Sequence, residues 1–163
     1  MRRSDVIENK IVELPALVRL AAQWRLLGKK IAFTNGIFDL LHKGHIFSLS
    51  QAAKEADYLI VGVNSDASTK KLKGDSRPIN DEQSRALVLA SVIVVDAVVL
   101  FAEDTPLELI KAVMPDVLIK GGDYTVEQVA GSKEVIQNGG RVVINPIIEG
   151  ISTTGLIAKI EQL

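Results

Sequence analysis

The chain has 163 residues, and its 19 basic and 20 acidic side chains leave a formal charge of -1, so no overall basic field marks it for nucleic acid and any phosphate ligand must be held by local groups. It has no cysteine, which excludes disulfides, thiolate metal sites and a cysteine nucleophile. No apolar run reaches the length of a membrane span, and Arg2-Arg3 is followed by Asp5, Glu8, Lys10 and Glu13 where a twin-arginine signal would carry apolar residues. A cytoplasmic protein is expected, with 1–163 as one domain and 1–28 as a helical segment packed on it.

Apolar positions at Ile11, Leu14, Leu17, Val18, Ala21, Ala22 and Trp24 predict a helix over Lys10–Leu27, ending at Gly28. Ile31-Ala32-Phe33 is the first strand and Gly44–Ala56 the next helix. Tyr58–Val63 is apolar on both faces, as in a central strand of a parallel sheet. A basic loop, Lys70–Pro78, follows, and Asn80 with Gln83 resembles a capping box for a helix through Ala90. Ala97–Phe101 is the third strand. Thr105, Pro106 and Glu108 then predict an N-cap, a first-turn proline and a capping acid for a helix to Val113. Val117–Ile119 and Val142–Ile144 are the last strands, separated by a helix near Ala130–Asn138, and Ser152 caps the final helix.

Strands alternate with helices throughout, which predicts an α/β fold with a five-stranded, mainly parallel sheet and right-handed crossovers. Polar and glycine-rich clusters follow nearly every strand at its carboxyl end, the edge that holds ligands in open α/β sheets. The first strand leads into Thr34-Asn35-Gly36-Ile37-Phe38-Asp39 and then His42-Lys43-Gly44-His45. This is neither a P-loop nor a Gly-x-Gly-x-x-Gly dinucleotide turn. The helix opening at Gly44 directs N–H groups and a positive dipole end at an anion. His42 and His45, the only histidines of the chain, can donate to phosphoryl oxygens as negative charge develops.

His42-x-Gly44-His45 after the first strand resembles the signature of the cytidylyltransferase-like nucleotidyltransferase superfamily. Within it, Asn64–Thr69, Lys73–Pro78, Lys120–Tyr124, Gly131–Glu134 and Ser152–Thr154, in that order, resemble the heptose 1-phosphate adenylyltransferases. The resemblance implies a Rossmann-like doubly wound sheet. It also implies a reaction in which ATP and D-glycero-D-manno-heptose 1-phosphate give ADP-heptose and pyrophosphate, with Mg²⁺ accompanying the phosphates.

By the family pattern, Thr34, Asn35, Gly36, Ile37 and Phe38 line the α-phosphate and ribose through backbone groups, and His42 and His45 stabilise the transition-state charge. Asp39 either orients a histidine or the metal, or caps the following helix. Lys73 is the expected phosphate-binding lysine, with Lys71 second, against the alternative that the charge run is a solvated face. Arg85 either reaches the nucleotide or sugar phosphate, as in relatives, or is an exposed helix arginine. Lys120, Gly121 and Asp123 are placed near ATP, with Tyr124 packing on a ring or in the core. Ser152, Thr153 and Thr154 open the last helix toward the β- and γ-phosphates.

One departure matters. Related cytidylyltransferases carry Arg-Thr-Glu-Gly-Ile-Ser before the last helix, and this chain has Ile147-Ile148-Glu149-Gly150-Ile151-Ser152. The missing arginine weighs against a glycerol 3-phosphate cytidylyltransferase and places ATP ahead of CTP. The alternatives are another nucleotidyltransferase of the superfamily and a non-catalytic nucleotide-binding module. Leu87–Val95 is more apolar than one buried helix face requires, and a homodimer is expected.

Overall fold

The computed structural model describes residues 5–148 and 150–163; Arg2-Arg3 and Glu149, named above, lie outside the described residues. Five strands form one all-parallel sheet: β1 (Ile31–Gly36), β2 (Tyr58–Asn64), β3 (Ala97–Phe101), β4 (Val117–Gly121) and β5 (Arg141–Asn145), in the order β3-β2-β1-β4-β5. The chain winds outward from β1 through β2 to β3, then returns to place β4 on the other side of β1. The carboxyl ends of β1 and β4 therefore meet at the point where strand order reverses, the place where such sheets bind ligands.

Both faces are covered, which is why the central strands are apolar throughout. On one face Phe33, Ile60, Val99 and Leu118 pack with Leu17, Ala21 and Trp24 of helix α2 (Leu14–Leu26) and with Ile110 and Val113 of α6 (Leu107–Val113). Trp24 stacks on Tyr58 with ring centroids 4.1 Å apart. On the other face Ala32, Val61, Val63 and Ile119 pack with Leu49 and Ala52 of α3 (Lys43–Ala53) and with Ala86 and Leu89 of α5 (Glu82–Ala90).

Several predicted boundaries shift for physical reasons. The first long helix begins at Leu14, with Pro15 in its first turn, rather than at Lys10. Residues 10–12 are extended instead: the Val12 N–H donates to the Val98 carbonyl and the Val98 N–H to Lys10, so this segment covers the free edge of β3. A short helix α1 (Asp5–Glu8) precedes it.

The basic loop is corrected most. Lys70, Lys71 and Lys73 lie in helix α4 (Asp66–Lys73), whose cap Ser65 accepts the Ser68 N–H at 3.2 Å. Three lysines in its last turn favour the helix through its dipole. Its only buried side chains are Ser68 and Thr69, so it has no apolar stripe to reveal it. Helix α5 is capped by Asp81, which accepts the Ser84 N–H at 2.9 Å, not by Asn80. Pro106, not Thr105, occupies the cap position of α6 and makes no side-chain cap. The helix expected over Ala130–Asn138 is α7 (Ser132–Gln137), and an unpredicted 3₁₀ turn (Val126–Gln128) precedes it. The final helix α8 (Thr153–Ile160) is capped by Ser152, whose hydroxyl accepts the Gly155 N–H at 3.0 Å, as expected.

Candidate active site

At the carboxyl edge of the sheet lies a cleft of two lobes, about 520 Å³ and 370 Å³. They meet at the turn after β1 (Asn35 to Phe38), at His45, at Lys120 on β4 and at Thr153 on α8. The smaller lobe adds Thr34, His42, Gly44, Gly121 and Ser152, with Ile147, Ile148 and Ile151 as an apolar side. The larger lobe adds Asp39, Lys73, Arg77, Asp104 and Thr154, with Asn64 and Gln128.

The histidines are built into the helix start. His42 is the N-cap of α3, and its Nδ1 accepts the Gly44 N–H at 3.1 Å; His45 Nδ1 accepts the His42 N–H at 3.4 Å. The reciprocal pattern is a capping box made with imidazoles. The rings stack with centroids 3.9 Å apart. Gly44 leaves room for the His42 ring, from which a Cβ there would lie only 3.0 Å away. With each Nδ1 accepting, the neutral rings carry their protons on Nε2 and present N–H donors away from the backbone. Burial, reinforced by His42, pushes His45 down to about 4, and burial also lowers His42. Both are neutral donors at pH 7.

Phe38 holds φ at 52°, a left-handed conformation uncommon for a side chain of this size. It places the Phe38 ring 5.3 Å from that of His45. It also sets the ring against Gly36, where a Cβ would meet it at 3.0 Å. Lys120 lies at the meeting point of the lobes, with Nζ 5.3 Å from the Tyr124 ring centroid. Burial lowers its pKa.

Four residues stand otherwise than expected. Asp39 neither caps α3, whose cap is His42, nor has oxygens free for a metal. Its carboxylate accepts Arg77 Nε at 2.7 Å and the backbone N–H groups of Ile79 and Asn80 at 2.9 Å. Burial alone would raise Asp39, but the Asn80 and Ile79 N–H groups and the Arg77 guanidinium outweigh it and hold the carboxyl below its usual range. Arg85 is fully buried, not an exposed helix arginine. It donates to the carbonyls of Ile37 and Asn80 and to Asp66 Oδ1, at 2.6, 3.0 and 2.7 Å, and so ties the site turn to α4. Of the two lysines weighed, Lys73 lines the larger lobe, whereas Lys71 pairs at the surface with Asp104 at 3.4 Å. Asp123 is exposed and lines neither lobe.

Sequence reading did not single out Asn64 and Gln128 or the isoleucine wall. Asn64 was visible as the polar residue that ends β2. Gln128 comes from the unforeseen 3₁₀ turn and carried no signal. Among the described residues no three His, Asp or Glu side chains stand together as a metal site, and no helix is long and apolar enough to cross a membrane.

A family model described as cytidylyltransferase-like matches residues 33–159. The chain is 58% identical over 155 residues to "Bifunctional protein HldE" of Caulobacter vibrioides, covering 95% of this chain and 32% of that protein. To the proteins of the same name from Koribacter versatilis and Shigella flexneri it is 56% identical, over 94% and 85% of this chain and 32% and 29% of those proteins. It thus spans about one third of the length of these relatives. Among solved structures, a lipopolysaccharide core biosynthesis protein from Thermoplasma volcanium superposes with a TM-score of 0.61 at 32% identity, covering 74% of this chain and 98% of that one. A pantoate-beta-alanine ligase from Francisella tularensis shares the fold, with a TM-score of 0.60 at 16% identity over 94% of this chain and 78% of that one. The chain belongs to the cytidylyltransferase-like family.

Proposed function

We propose that this chain transfers AMP from ATP to D-glycero-D-manno-heptose 1-phosphate, releasing ADP-heptose and pyrophosphate. The observation that carries this reading is the two-lobed cleft whose lobes meet at His45, Lys120 and the turn after β1. ATP occupies the smaller lobe, its base against the isoleucine side and its phosphates toward the N-terminus of α8 and the histidine turn. The sugar phosphate enters the larger, more polar lobe. An oxygen of its phosphate attacks the α-phosphorus in line, a new P–O–P bond forms, and the bond to the β-phosphate oxygen breaks as pyrophosphate leaves. The protein supplies position and charge neutralisation. The Nε2–H groups of His42 and His45 and the Lys120 ammonium stabilise the negative charge that builds on the α-phosphate oxygens.

Heptose as acceptor is supported by the five sequence blocks that follow the histidine turn and by the identity to the HldE proteins. ATP over CTP is supported by Ile147 and Ile148 in place of an arginine-bearing motif. Mg²⁺ enters this reading as the counter-ion of ATP. The residues present do not fit a protein-held metal, since the Asp39 oxygens are engaged and Asp104 pairs with Lys71. The reading requires the cytoplasm, where ATP is available.

A homodimer belongs to the same reading. Leu87, Val88 and Ile93 are exposed, and α1, which packs on α5, adds exposed Val6 and Ile7. A monomeric mass by light scattering would refute it.

Pyrophosphate release tests the function. The expected result is release with ATP and one anomer of the sugar phosphate, and little with CTP or GTP. No release with either anomer overturns the heptose assignment, and preference for CTP returns the cytidylyltransferase alternative. Nucleotide binding without turnover on any phosphorylated acceptor makes the chain a binding module.

A further inference from the structure

We infer that Arg77 is the residue that grips the phosphate of the acceptor, and that Asp39 is the positioning residue that aims it. The inference rests on the two-substrate reading above and adds to it a side chain that the histidine turn and the lysines do not account for. Arg77 lies between two features that fix it. Its Nε donates to Asp39 Oδ2 at 2.7 Å, and its side chain is 13% exposed while that of Asp39 is 0% exposed. The Asp39 carboxylate also accepts the N–H groups of Ile79 and Asn80, and the Asn80 side chain donates back to the Asp39 carbonyl at 2.8 Å. The segment 77–80 is thus clamped at four points to the residue that follows Phe38.

A guanidinium has five N–H donors in a rigid plane. Asp39 engages the one on Nε; the two terminal nitrogens, without an acceptor among the described residues, form a fork in the wall of the larger lobe. Such a fork matches two oxygens of a phosphate, and its sheltered position strengthens each hydrogen bond. Location assigns the ligand. Arg77 is tied to Asp39, Asp39 adjoins Phe38, and Phe38 belongs to the turn where the lobes meet. The acceptor's phosphate must reach that junction to attack the α-phosphorus, while its hydroxyls extend toward Asn64, Asp104 and Gln128. Because Asp39 balances the charge of Arg77, the contribution is directional rather than one of net charge. An ammonium at position 77 cannot reproduce it.

The test has a binding arm that does not depend on which sugar is used. Inorganic phosphate is titrated into protein saturated with the non-reactive analogue α,β-methylene-ATP, followed by ³¹P NMR, for wild type, Arg77→Ala and Arg77→Lys. Phosphate affinity is expected to fall about 10- to 100-fold in both variants, from the loss of one or two charge-assisted hydrogen bonds, with analogue affinity unchanged within about twofold. Arg77→Lys carries the test where Arg77→Ala is too unstable to assay. Unchanged phosphate affinity, or an equal loss of analogue affinity, overturns the proposal even if wild type makes ADP-heptose. Loss of phosphate affinity in a protein that shows no turnover of heptose 1-phosphate sinks the heptose reading and leaves Arg77 in place. In turnover, the same variants are expected to raise KM for the sugar phosphate and leave KM for ATP unchanged. Asp39→Asn is expected to weaken phosphate binding in wild type but to add little in the Arg77→Ala background; equal losses in both backgrounds overturn the positioning role.

Discussion

His42 and His45 cap the same helix end: the Nδ1 of His42 accepts the Gly44 N–H, and the Nδ1 of His45 accepts the His42 N–H, with the two rings 3.9 Å apart. The backbone thereby sets the tautomer of both rings, and the donor that the proposed reaction uses shares its side chain with the fold. Substitution can separate the two roles. Asn at position 45 places an acceptor where Nδ1 was and leaves no donor at Nε2, whereas Gln does the reverse. His45→Asn is expected to fold normally and to lose about 10²- to 10³-fold in kcat, the range for removing one preorganised donor. His45→Gln is expected to retain more activity with a lower melting temperature. Steady-state rates with thermal melts decide this, and equal kcat for the two variants would return His45 to a purely structural role.

The depressed pKa of His45 makes stability depend on pH. Its ordinary value is 6.5, and in the fold it lies at about 4. Between these values the unfolded chain binds more protons than the native one, so stability rises with pH across that window. The contribution is complete above about 6.5 and is lost as pH falls toward 4. Discounted for the partial exposure of the ring, it amounts to about 2 kcal/mol. Denaturant titrations at pH 4.5 and 7 should show this difference in wild type and a smaller one in His45→Asn.

Lys73 and Lys71 provide an internal comparison, because only Lys73 lines the cleft. Lys73→Ala is expected to lower kcat/KM about 10- to 100-fold, the scale of one lost charge-assisted contact to phosphate. Lys71→Ala removes an exposed pair with Asp104 and should change kcat/KM by less than about twofold. Equal small effects would make the whole helix end a solvated face.

Arg85 is a buried cation whose hydrogen-bond partners, among the described residues, are groups of the fold: Ile37, Asn80 and Asp66. Arg85→Met removes it and leaves the Ile37 carbonyl and the Asp66 carboxylate without their donor. A loss of about 3 kcal/mol is expected, with a fall of roughly 10 °C in Tm. Arg85→Lys should recover little, since one ammonium cannot reach three acceptors in a plane. A melting temperature within a few degrees of wild type would refute the structural role.

The pattern of strands and glycines was legible in the sequence because each strand is a short apolar run, and all but the edge strand β5 are buried on both sides of the sheet. Ala97–Phe101 is found at its predicted bounds for that reason. The histidine turn was legible because the residues that make it are contiguous. Helix α4 was not, since capping and dipole, rather than an apolar stripe, hold Asp66–Lys73 in place. What Asp39, Arg77 and Arg85 touch was decided only by tertiary structure. Asp39 lies 38 residues from Arg77 and Arg85 lies 48 from Ile37, and a charged side chain reads alike in sequence whether it meets a ligand or a distant carbonyl. The sequence by itself determined the layers and which residues form the turn after β1. The crossing of the chain from β3 back to β4 decided which other side chains share the cleft, because only that return brings Lys120 beside His45.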